Sequence, residues 1–182
     1  MTSNSYEDLV EKIRRGDECA FEMLFNQYYS RLCIFANTYL NSLDLSRDVV
    51  QDVFIKIWDN RENFYINQSL KAYLYQSVRN QSLNSIQKSK RKQKLEKRLQ
   101  KHQEVKESVK DPDLSILTTE ELTEKVWKLV DNLPERRKAI FVLYRKHGLS
   151  YREIADVMGI ARKTVENQMG KSLQFLRDQL DL

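Results

Sequence analysis

Arg162, Lys163, Glu166, Asn167 and Lys171 recur at spacings that put them on one side of a helix near the C-terminal end of the chain. A face of guanidinium, ammonium and amide groups offers the donors that phosphates and base edges accept. Val165, Met169, Leu173 and Leu176 recur on the other side. The helix is therefore expected to lie on a core and present its polar side outward. A shorter helix is predicted just before it. Ser150 and Glu153 have the spacing of a capping box, and Ile154, Ala155 and Met158 give this helix an apolar face. Gly159 supplies the turn and Ile160 an apolar plug behind it. Ala161 stands where Ser, Thr, Asp or Asn would cap best, at a cost of about 1 kcal/mol. The pattern is a helix-turn-helix, whose second helix enters the major groove.

Two further groups of residues carry chemistry. A third helix is predicted over roughly Ser46–Asp59. Val49, Val50, Val53, Phe54, Ile57 and Trp58 point inward, and Asp48, Gln51, Asp52, Ile55 and Asp59 share another face. An acidic face with an apolar residue in its middle fits a protein docking site or an ordinary solvated face. Asn60–Ser69 has no helical period and reads as a loop holding Phe64 and Tyr65 among polar residues. Leu70–Gln87 follows as a helix with Arg79, Asn80 and Asn84 on its polar side. An aromatic loop beside such a helix is one way proteins hold unstacked single-stranded bases.

The elements that position these groups are all helical. Glycine (4) and proline (2) are scarce and charged residues make up 31% of the 182 residues. Tyr6, Leu9, Val10 and Ile13 mark a first helix ended by Gly16. Asp17 caps a second, whose stripe of Phe21, Leu24, Phe25, Tyr28, Leu32, Phe35 and Tyr39 reads as packed core. Between Lys88 and Lys110 the apolar period fades, and ten basic residues stand against three acidic ones. That segment nets +7 of the chain's +5, so the remainder nets −2 and the basic excess is local. Asp111-Pro112-Asp113 is a breaker. Leu122, Val126, Leu129, Val130 and Leu133 begin a second unit. Pro134 is expected to open its next helix at the first turn, running to His147 with Gly148 as the stop. The expected organisation is all-α, with two small helical domains over 1–90 and 115–182 joined by a basic linker over 91–114. The second domain carries the helix-turn-helix.

Several function classes find no support. Cys19 and Cys33 are the only cysteines, and their spacing gives neither a disulfide framework nor a zinc site. Asp48 and Asp52 are one turn apart, but no His or Glu cluster completes a metal or acid–base site. His102 and His147 are isolated and expected to be exposed or capping. No enzyme activity, cofactor or metal is expected. The N-terminal sequence lacks the pattern of a signal peptide and no apolar run approaches the length of a membrane span. A cytoplasmic protein with no membrane insertion is expected.

With this order of elements the chain resembles a sigma factor of bacterial RNA polymerase. It most resembles the extracytoplasmic-function class of the sigma-seventy superfamily, which keeps domains two and four. DVVQDVFIKIW (48–58), SLKAYLYQSVRNQSLN (69–84) and LSYREIADVMGIARKTVENQM (149–169) carry the resemblance. It implies that 1–90 is domain two and 115–182 domain four. It implies that Asp48, Gln51, Asp52 and Phe54 meet the β′ clamp helices of core RNA polymerase, with Arg47 departing from the more usual acidic residue. It implies that the loop 60–69 and Arg79, Asn80 and Asn84 recognise the minus-ten element and hold its melted strand. Arg162, Lys163, Glu166, Asn167 and Lys171 would then read the minus-thirty-five element, and the linker would thread the RNA exit channel. An anti-sigma factor is a further implied partner. The competing reading is a dimeric helix-turn-helix regulator on a palindromic site, outside the polymerase. Such a regulator needs neither the acidic docking face nor the aromatic loop.

Overall fold

Local capping sets where the helices begin. In the computed structural model, which describes residues 3–66, 69–97 and 119–180, α1 spans Ser3–Arg14 and α2 spans Glu18–Leu40. The Asp17 carboxylate accepts the Ala20 amide at 3.0 Å and opens α2. Asn41, at φ 49°, turns the chain back in the left-handed conformation that Asn tolerates well. Then α3 runs over Leu43–Asp59, three residues earlier than the hydrophobic pattern predicts. Ser42 supplies the missing cap, accepting from the Leu45 amide, while buried Ser46 donates to the Ser42 carbonyl at 2.6 Å. A 3-10 turn, Arg61–Asn63, leads to α4, Leu70–Lys97. This helix continues past Gln87 into the segment read as linker. Residues 98–118, which hold the rest of the linker with His102 and the first residues expected of the second domain, lie outside the described residues. The C-terminal unit comprises α5 (Thr119–Asp131), α6 (Glu135–Arg145), α7 (Tyr151–Met158) and α8 (Arg162–Leu180). No strand occurs among the described residues, and none of the helices is long and apolar enough to cross a membrane.

The N-terminal unit is built on the α2–α3 hairpin, with α4 packed across it. Leu24, Tyr28, Leu32 and Phe35 of α2 are buried with Val49, Val50, Val53 and Phe54 of α3. Phe54 makes an edge contact with Phe21 at 6.0 Å and a tilted one with Phe25 at 4.9 Å, geometries that add to burial. In the C-terminal unit Pro134 caps α6 rather than sitting inside it, and α6 stops at Arg145. The capping box of α7 forms as predicted, and Gly159 closes that helix at φ +64°. A Cβ there would meet nothing within 4 Å, so glycine is needed for its backbone conformation rather than for space.

The two units dock on one another. Helices α6 and α7 lie against α2 and α4, and one continuous hydrophobic core joins them. Ser69 donates to the Glu153 carboxylate at 2.7 Å, and Lys71 donates to the Gly148 carbonyl at 2.8 Å. Gln76 donates to the Asp156 carbonyl at 3.1 Å, and the Tyr39 hydroxyl meets the Met158 sulfur at 3.9 Å. His147 is neither exposed nor capping. It is 6% exposed, with its ring centroid 5.0 Å from Tyr75 and 6.0 Å from Phe35 across the seam.

Candidate nucleic-acid interface

On α8, Val165, Met169 and Leu176 anchor the helix in the core, while Arg162, Lys163, Asn167 and Lys171 are exposed. Leu173, expected in the apolar stripe, is 41% exposed. Glu166 is half-buried and binds both basic neighbours, Arg162 Nε at 3.2 Å and Lys163 Nζ at 3.3 Å. These are helical ion pairs between largely exposed side chains, worth a few tenths of a kcal/mol each. They bias the first-turn cations toward Glu166 and leave Asn167 and Lys171 one turn further along. The i, i+4 spacing of Arg162 and Glu166 signals this pairing in the sequence.

Helix α4 carries the second set. Asn80 and Asn84 are exposed and one turn apart. Arg79 differs from expectation: it is half-buried, and its Nε has no hydrogen-bond partner. The loop before α4 divides its aromatics. Phe64 is 4% exposed and packs edge-on to Tyr73 at 5.3 Å, so it belongs to the core. Tyr65 is 64% exposed. Arg14 of α1 lies over its ring at 4.0 Å and donates to its hydroxyl, a pairing with no signal in the sequence. Beside Tyr65 runs a groove of about 430 Å³, bordered by Arg14, Ile66, Ser69, Lys71 and Glu153. Burial pushes the Glu153 carboxyl upward. The Ser69 and Ser150 hydrogen bonds and the Lys71 charge outweigh that effect and hold it below its ordinary range.

The docking face on α3 is a separate surface. Asp48, Gln51 and Asp52 are exposed, and Ile55 is 56% exposed among them. The Asp52 carboxylate accepts from Gln81 of α4 at 3.2 Å, and Lys56 donates to the same glutamine at 2.9 Å. Phe54 is only 2% exposed and cannot be a free-standing contact. It forms part of an apolar groove of about 410 Å³ with Phe21, Phe25, Ile55 and Trp58. Arg47 pairs with Asp44 at 3.2 Å.

Comparison with known proteins agrees with this arrangement. Residues 24–92 match the model of sigma-70 region 2 and residues 123–176 that of sigma-70 region 4. The sigma-E factor of Escherichia coli is 26% identical over 178 residues, covering 94% of this chain and 92% of that protein. The sigma-E factor of Haemophilus influenzae is 28% identical over 177 residues, covering 94% and 93%. The fold is that of two solved complexes. One is the sigma factor RpoE with the anti-sigma factor NepR from Bartonella quintana, at TM-score 0.65 and 20% identity over 89% of this chain and 97% of that one. The other is CnrH with the cytosolic domain of CnrY, at TM-score 0.65 and 21% identity over 95% of each chain. Regions 2 and 4, in that order and with these relatives along nearly the whole length, make this chain a member of the sigma-70 family, in its extracytoplasmic-function class.

Proposed function

We propose how this sigma factor divides the work of bringing core RNA polymerase to a promoter. The unit over 1–90 acts as domain two. The acidic side chains Asp48 and Asp52 dock on the β′ clamp helices together with Gln51, which borders the Phe54-floored groove. Asn80 and Asn84, with Tyr65 at the groove beside α4, hold the melted minus-ten strand. The unit over 115–182 acts as domain four, and α8 reads the minus-thirty-five element through Arg162, Lys163, Asn167 and Lys171. Glu166 serves by ordering the two basic residues before it. An anti-sigma factor would regulate the chain, as one accompanies the RpoE of Bartonella quintana in its solved complex. The protein is a specificity subunit rather than a catalyst.

The observation that carries the division is the pair of exposed amides, Asn80 and Asn84, on the helix that follows the loop bearing exposed Tyr65. Amide groups pair with base edges only when those edges are unpaired or face a groove, and an aromatic ring stacks only on unstacked bases. A dimeric regulator of duplex DNA has no use for the second. Asn80→Ala in the holoenzyme should therefore reduce open-complex formation more than initial promoter binding. Permanganate reactivity of the melted segment, measured beside promoter retention, checks this. Normal melting in the variant would leave Asn80 a structural residue and remove it from the strand site.

A further inference from the structure

Gly170 stands in the interior of α8, and nothing in the free chain asks for glycine there. A Cβ at this position would meet nothing within 4 Å, and the backbone lies outside the left-handed range that favours glycine. The residue is exposed, while Val165, Met169, Ser172 and Leu176, which seat the helix on the core, are buried on the other side. Glycine in a helix interior lowers the folding equilibrium constant about fivefold relative to alanine, because it gives up more backbone freedom on folding. The chain carries that cost at Gly170, and neither packing nor backbone geometry explains it.

Its neighbours show where a bare backbone matters. Residues three and four apart adjoin on a helix surface, which places Gly170 between Asn167 and Gln174, in line with Lys163. All three are exposed. Gly170 is thus in the middle of the polar face that the proposed function turns toward the minus-thirty-five element. The side chains around it differ in reach. Lys163 and Lys171 carry their ammonium groups on long flexible stems and can meet phosphates from a distance. The Asn167 amide stands on a short stem, so it pairs with a base edge only when the helix backbone itself lies deep in the groove. A Cβ at position 170 would project into that approach. Its absence lets the main chain come closer, as glycine does where backbone meets a ligand.

We infer that Gly170 is a specificity-determining residue of α8, whose bare backbone lets the helix seat deeply enough for Asn167 to reach a base edge. This rests on the proposed reading of the minus-thirty-five element by α8. The test sets stability against specificity, using Gly170→Ala. The free variant should melt about 2–4 °C higher than the unaltered chain, because alanine is the better helix former and its methyl group meets nothing. Holoenzymes carrying each chain are then given a duplex promoter pool randomised across the upstream element, and the bound DNA is sequenced. Gly170→Ala should lose about tenfold of the base preference at the position that Asn167→Ala also relaxes. Adding Asn167→Ala to Gly170→Ala should then change the profile little, since the amide no longer reaches its base. Undiminished preference in Gly170→Ala overturns the inference. A lower melting temperature also overturns it, because the glycine would then have a structural task in the free helix. So do additive effects of the two substitutions, which would make Gly170 act independently of Asn167. Lys163→Ala separates this failure from that of the underlying reading. If Lys163→Ala weakens promoter binding while Gly170→Ala leaves the preference intact, only the inference about Gly170 fails. If neither substitution affects binding to any member of the pool, α8 is not the promoter reader and both fail.

Discussion

His147 shows how one side chain ties the pH response of this molecule to its domain seam. Burial first, and then the charges of Lys146, Lys71 and Arg31, push its pKa down to about 4 from 6.5. The groups packed on the ring from α2 and α4 are Phe35 and Tyr75, and burial raises the Tyr75 hydroxyl, so it offers no compensating anion. The sign follows from linkage. The folded, docked state binds the proton less tightly than the open or unfolded chain does. The full stability is therefore present above about pH 6.5, falls as pH drops, and stops falling near pH 4. The slope is about 1.4 kcal/mol per pH unit, so roughly 2 kcal/mol is lost by about pH 5. His147→Phe keeps an aromatic ring between Phe35 and Tyr75 and removes two unpaired nitrogens. It should be as stable as the unaltered chain or about 1 kcal/mol more stable at neutral pH, and should lose less stability on acidification. Thermal melts of both chains at about pH 7.5 and about pH 5 give the comparison. Identical losses would mean that His147 does not titrate against the seam. Residues of this kind are not legible in a sequence. The Ser150–Glu153 cap is read directly, because both partners lie within one helical turn. The burial of His147 and Phe64 depends on elements remote in the chain, so no local spacing announces it.

At the scale of the element, α8 shows what a helix adds to the residues it carries. Its exposed side chains are not equivalent. Lys163 and Arg162 sit in the first turn and pair with Glu166; in the proposed reading they meet phosphates, which position a helix without conveying sequence. Asn167 is one turn on, with the donor and acceptor that match an adenine edge. Asn167→Ala should relax preference at one upstream-element position at a cost of about 1–3 kcal/mol. Lys163→Ala should weaken all promoters alike and lower the salt slope by about 1. Holoenzyme binding to a panel of upstream variants at several salt concentrations reads both. A base-preference profile that Asn167→Ala leaves intact and Lys163→Ala reshapes would reverse the two roles. The helices themselves were largely legible, because apolar spacing and caps are local signals. Two boundaries were not. Ser42 starts α3 before its hydrophobic period begins. And α4 runs on to Lys97 because lysine and arginine are good helix formers, although the same residues read by charge alone as a linker.

For the whole molecule, the segment between the units has to satisfy a length requirement, and with α4 reaching Lys97 most of the basic excess belongs to that helix rather than to the segment. No periodic pattern in the sequence foretold that α6 and α7 would seat on α2 and α4, since that contact joins residues about 80 positions apart, such as Ser69 and Glu153. What the sequence does specify is how far the units can part. Residues 98–118 contribute about 20 residues, which span at most about 70 Å when fully extended. Each unit of 70 to 90 residues has a radius of about 15 Å. Two such units centred on elements about 25 base pairs, or about 85 Å, apart leave a gap of about 55 Å, which the full segment can bridge. Removing about ten residues from it reduces the reach to about 35 Å, short of the gap. The shortened chain should keep both folded units and its affinity for core polymerase. It should protect either the minus-ten or the minus-thirty-five region in a footprint, but not both on one molecule. Adding back a flexible segment of equal length and neutral composition should restore the double footprint, because reach rather than charge is what was lost. If the neutral replacement restores length but not the double footprint, the side chains of the segment themselves make a required contact. If the shortened chain protects both elements, the units engage the promoter in a geometry closer to the docked one, and no such separation occurs.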